Sequence, residues 1–101
     1  MNRGDFLNLI AAAGAARTSV THTVVIGNSV FAPDVLKVRP GDRIKWTNRD
    51  IVPHTATATD ESWDTGEIAA GESAEVAVTA GFGVAYFCRF HPMMKGLLQV
   101  G

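Results

Sequence analysis

The chain has 101 residues, 47% of them hydrophobic and 19% charged, which fits one folded globular domain with a real core and leaves little room for two. Nine Lys and Arg against ten Asp and Glu give a formal charge of -1, so there is no global positive field to draw nucleic acid or anionic lipid. The one cysteine, Cys88, excludes an intramolecular disulfide and a multi-cysteine zinc site within the chain, and no apolar run approaches the roughly 18 to 20 residues of a membrane span.

Residues 1–17 read differently from the rest. Arg3 precedes Phe6-Leu7-Asn8-Leu9-Ile10 and an alanine-rich stretch with small residues at Ala13 and Ala15, the pattern of a signal peptide or N-terminal extension ahead of a domain over 18–101. Residues 2–8 resemble a bacterial twin-arginine signal, with Gly4 where the second arginine would stand. Export to the periplasm or beyond is therefore expected.

From Ser19 onward the chain reads as short β-rich segments with no helical period. Strands are predicted over 20–26, 35–38, 42–47, 54–57, 74–79, 84–88 and 97–100. Gly27-Asn28-Ser29, Pro40-Gly41-Asp42, Ala70-Gly71-Glu72 and Ala80-Gly81 punctuate them, residue types that fix φ or tolerate positive φ. Ile44 and Trp46 share one face of their strand, as do Ala74, Val76 and Val78 of theirs. About seven such half-apolar strands predict an all-β, two-sheet Greek-key β-sandwich, with Trp46 in its core. Asp60, Glu61, Asp64 and Glu67 flank Trp63 in a spacing that matches no calcium loop, and read as a solvated loop.

The chemistry concentrates in Tyr86-Phe87-Cys88-Arg89-Phe90-His91-Pro92-Met93-Met94. A thiolate, an imidazole and a thioether stand there at three-residue intervals, so a tight loop can turn them toward one metal ion. Thiolate, two imidazoles and a weak axial thioether form the blue-copper donor set, in which sulfur suits Cu(I) and imidazole suits Cu(II). The loop provides one imidazole. For the second, His54 follows an irregular stretch after the Trp46 strand, whereas His22 alternates with Val20 and Val24 and reads as an ordinary strand residue. Met93 and Met94 are adjacent, and either has the reach to be the thioether.

From about Val20 to Val100 the chain resembles the plastocyanin-like cupredoxins, and its short Cys-x-x-His-x-x-Met loop looks most like that of amicyanin. The resemblance rests on Phe31-Ala-Pro33, Val38-Arg-Pro-Gly-Asp42, Ile44-Lys-Trp46-Thr-Asn48, Pro53-His54-Thr55 and Tyr86 through Met94. It implies one copper ion held by His54, Cys88, His91 and Met94. It further implies a one-electron carrier rather than an enzyme, a monomer whose redox partner proteins dock near His91. Met93, Pro53, Pro92 and Phe90 would form an apolar rim there. Phe90 stands where many plastocyanin-like loops carry proline, so it keeps an N–H; this group and the Thr55 N–H are both expected to donate to the Cys88 sulfur. Thr55 replaces the family's frequent asparagine, which suggests a weaker brace between the ligand loops. His54 and Cys88 are 34 positions apart, a short span that points to a missing strand or loop.

The same ligands would serve a copper carrier or chaperone, although no methionine-rich or two-cysteine delivery site accompanies them. A cysteine nucleophile paired with His91 or His54 lacks the signatures such enzymes carry. A merely buried Cys88 leaves the joint placement of His54, His91 and Met94 unexplained.

Overall fold

The computed structural model describes residues 18–101; the expected export signal over 1–17 lies outside them. Strand β1 (Thr21–Gly27) turns into β2 (Val30–Ala32) through Asn28 and Ser29, whose φ angles are 51° and 57°. Two successive positive φ values make the twist of a two-residue hairpin. Neither turn residue is glycine, and the Asp50 carboxylate accepts both of their N–H groups, at 3.0 and 2.9 Å. Beside β1, β4 (Arg43–Asn48) runs parallel, and β6 (Ser73–Ala77) pairs antiparallel with β4, giving the order β2-β1-β4-β6.

The second sheet has the order β3-β8-β7-β5, from β3 (Val35–Val38), β8 (His91–Val100), β7 (Ala85–Cys88) and β5 (Thr57–Ala58). Every connection from β2 to β7 crosses from one sheet to the other. The result is the expected all-β sandwich. Alternation decides what fills it: Val24 and Ile26 of β1, Ile44 and Trp46 of β4, and Tyr86 and Cys88 of β7 are all buried, as the period of two requires. Trp46 stacks on Trp63 at 5.3 Å between ring centroids, and Trp63 on Phe82 at 4.8 Å. Trp63 is thus core, its Nε1–H donating to Gly83 O, while the four carboxylates around it are exposed as expected.

Three strands differ from the sequence reading. Strand β2 is a three-residue, wholly apolar element, so its sequence shows no alternation although only Phe31 is buried. Residues 54–57, expected as a strand, contribute only Thr57 to β5; His54 instead makes an isolated bridge with Ile68, and Thr65 N–H donates to Ala56 O. The chain thus makes an irregular return over 54–68. Strand β8 begins at His91, not 97, because the register shifts between Phe87 and Cys88 and the ligand loop itself continues the ladder, with Cys88 opposite His91. Across that ladder Tyr86 faces Gly96, where an added Cβ would overlap the Tyr86 ring.

Candidate metal centre

Cys88 ends β7 with its side chain in the core, two residues after the inward Tyr86 and fully buried. Arg89 and Phe90 make the turn, and His91 opens β8 directly opposite Cys88. The tight connection therefore sets thiol and imidazole side by side: His91 Nδ1 lies 3.8 Å from Cys88 Sγ. Farther along β8, neighbouring side chains point to opposite faces. Met94 is 4% exposed and packs in the core, whereas Met93 is 89% exposed.

His54 arrives from the other sheet. At the end of β4 the buried Asn48 donates through Nδ2 to Val52 O and Ile68 O, both at 2.9 Å, and its Oδ1 accepts the Asp50 N–H. This one side chain holds the 49–54 loop in shape. His54, fully buried, then sets Nδ1 at 3.6 Å from Cys88 Sγ, and its ring centroid is 4.8 Å from that of His91. The nearest donor atoms of His54, Cys88 and His91 all lie within 4.8 Å of one another, and theirs is the only such group of three among the described residues.

Electrostatics orient the set. His54 Nε2 is 2.8 Å from Asp50 Oδ2. Asp50 is held below its ordinary pKa, first by the Ser29 N–H and then by His54, so the carboxylate accepts a proton bond from Nε2–H. That choice of tautomer leaves the Nδ1 lone pair facing Cys88, the arrangement by which carboxylates prepare metal-binding histidines. The Thr55 N–H donates to Cys88 Sγ at 3.3 Å. Among the described residues it is the sole N–H that does so; the bond expected from Phe90 is not formed. The brace expected to be weak is present: Thr55 Oγ1 accepts the Arg89 N–H at 2.9 Å. His22 takes no part, its Nε2 being 2.9 Å from Asp42 Oδ2. A soft sulfur between two imidazole nitrogens, that of His54 oriented by Asp50, fits a copper ion by donor chemistry.

The model of the copper-binding proteins of the plastocyanin/azurin family matches residues 18–101. The chain belongs to that family. Solved structures agree on the fold. A copper-containing nitrite reductase from Thermus scotoductus SA-01 superposes at TM-score 0.71 with 24% identity over 85% of this chain, which spans 23% of that enzyme. A purple cupredoxin from Nitrosopumilus maritimus gives 0.67, 25% identity, 79% of this chain and 99% of that one. An amicyanin variant in its Cu(I) form gives 0.69, 22% identity, and 86% and 88% coverage. No curated protein sequence matches the chain. As a cupredoxin it takes a single type 1 copper ion as cofactor.

Sequence reasoning passed over Asp50, which stands one helical turn's worth of residues before His54 but acts from a loop. Its bonds to the Asn28 and Ser29 N–H groups reach across 22 and 21 positions, and no local pattern marks them.

Proposed function

We propose that this cupredoxin is an exported, monomeric one-electron carrier whose copper is held by His54, Cys88, His91 and Met94. The observation that carries the reading is the convergence of two Nδ1 atoms on Cys88 Sγ, at 3.6 and 3.8 Å, beside a methionine buried on the same strand as His91. Copper bound there supplies a one-electron couple. The chain's own part is rigidity: His91 and Met94 sit in a ladder, His54 is fixed by Asp50, and Cys88 by the Thr55 N–H. Four protein donors leave no open position for a substrate, unlike catalytic metal sites, and this favours a carrier over an enzyme.

Electrons would pass through the His91 edge, the half-buried ligand. Beside it in the chain Phe90 and Met93 are 46% and 89% exposed, and in the loop leading to His54, whose ring neighbours that of His91, Ile51 and Val52 are 94% and 38% exposed. Pro53 and Pro92 are exposed there too. Such an apolar rim suits brief docking of a redox partner protein. No helix among the described residues is long and apolar enough to cross a membrane.

The test is a Cu(II) titration followed by visible absorption and electron paramagnetic resonance. An intense blue or purple thiolate band with one copper bound, lost in Cys88→Ala, is the expected outcome. A colourless protein, or a spectrum indifferent to that substitution, overturns the reading.

A further inference from the structure

Between Cys88 and the surface runs a chain of hydroxyls whose direction is fixed by its ends. The Arg89 N–H donates to Thr55 Oγ1 at 2.9 Å, and Thr57 Oγ1 donates to Asp64 Oδ1 at 3.0 Å. A threonine hydroxyl has one proton. With its own spent on Asp64, Thr57 can only accept in its 2.9 Å contact with Thr55 Oγ1, so the Thr55 hydroxyl is the donor. Every bond then points the same way, from the amide next to Cys88 through two buried threonines to a carboxylate. The Arg89 side chain closes the ring, with Nη2 2.9 Å from Asp64 Oδ2 and Nε 3.4 Å from Thr57 Oγ1. Thr55 is fully buried and Thr57 is 7% exposed, whereas the Arg89 and Asp64 side chains are 48% and 40% exposed.

We propose that this relay tunes the copper site from the surface, with Thr57 and Asp64 as positioning residues for the ligand loop. The proposal rests on the copper reading above. Thr55 is the residue whose N–H bonds the Cys88 sulfur, and Arg89 follows Cys88 directly. The relay ties these two segments together and holds both through a charged anchor at the far end. Unidirectional chains polarise along their length. A hydrogen bond to the cysteine sulfur draws electron density from it and raises the reduction potential. Loosening the relay therefore lets the Thr55 amide drift from the sulfur and lowers the potential, although neither Thr57 nor Asp64 touches a ligand.

Thr57→Val keeps the branched shape and removes the hydroxyl; Thr57→Ser restores the hydroxyl; Asp64→Asn, at the surface, keeps an acceptor and removes the charge. Two readouts are taken on each. In the metal-free protein, hydrogen exchange at the Arg89 amide should quicken about tenfold in Thr57→Val relative to the amides of β4, and return in Thr57→Ser. In the copper-loaded protein the potential should shift downward in Thr57→Val, less so in Asp64→Asn, and return in Thr57→Ser. A faster amide with an unmoved potential overturns the proposal, since the relay is then a structural brace alone. A lowered potential with an unchanged amide also overturns it, because the effect then travels by another route. Should Thr57→Val fail to fold, Asp64→Asn decides by the same two readouts. If the unaltered chain takes up no copper, the copper reading itself fails and the proposal falls with it.

Discussion

Two histidines in this molecule are held in nearly the same way, and only one of them faces a metal-binding cluster. His54 Nε2 is 2.8 Å from Asp50, which also accepts the N–H groups of Asn28 and Ser29. His22 Nε2 is 2.9 Å from Asp42, which also accepts those of Val20 and Arg39. The first pair ties the loop before His54 to the β1–β2 turn, and the second ties β1 to the turn before β4. The difference is what stands on the other side of the ring: beyond His54 are Cys88 and His91, while no such cluster of donors includes His22 among the described residues. A His–Asp pair is thus a general brace of the fold, and becomes part of a metal centre only where the β7–β8 turn delivers further donors.

The sharpest way to break the comparison is to remove the two rings in turn. His54→Ala should abolish the thiolate-to-copper band in a titrated sample, whereas His22→Ala should leave the spectrum intact and cost about 1 kcal/mol in urea unfolding. Removing the carboxylates comes next. Asp50→Ala should weaken copper binding by about 10- to 100-fold, measured by competition with a chelator. Asp42→Ala, which strands N–H groups around a buried site, should cost about 3 kcal/mol of stability and leave copper affinity alone. If Asp42→Ala shifted copper affinity as much as Asp50→Ala, the two ends would be coupled and the contrast between them lost.

The smallest effect concerns the core between the two ends. Burial pushes the Tyr86 phenol up to about 12, against a smaller opposing pull from the Trp46 Nε1–H, although neither group makes a hydrogen bond of good geometry. A raised folded-state value means the neutral phenol stabilises the fold fully below the ordinary Tyr pKa of about 10, and that this contribution is lost as pH rises through 12. Unfolding followed from pH 9 to 12 should show that decline, and Tyr86→Phe should flatten it while leaving the neutral-pH stability within about 1 kcal/mol.

How much of this could be read from the sequence depended on how far apart in the chain the partners lie. Cys88, His91 and Met94 fall within seven residues on one hairpin, so spacing alone pointed to a shared centre, and strand alternation now separates buried Met94 from exposed Met93. His54 could be preferred to His22 because it sits in an irregular loop. Its carboxylate could not be found, since Asp50 draws on a turn 22 positions away. The relay was equally hidden: Arg89 meets Asp64 and Thr55 across 25 and 34 positions, and a threonine in a strand sends no signal of its partners. The Phe90 N–H was assigned to the sulfur on the residue's lack of a proline ring, which makes a donor available without aiming it. The strand expected over 54–57 is largely absent because Thr55, Ala56 and Thr57 describe burial, and burial here comes from an irregular return over 54–68.

The contact between Tyr86 and Gly96 bears on how such a chain can change over generations. The ring occupies the space a side chain at position 96 would need, and Tyr86 shares a strand and a face with Cys88. Position 96 can therefore accept a larger residue only in company with a smaller one at 86. The two sites form one heritable unit, and descendants that keep the aromatic ring beneath the cysteine are bound to keep the glycine across from it.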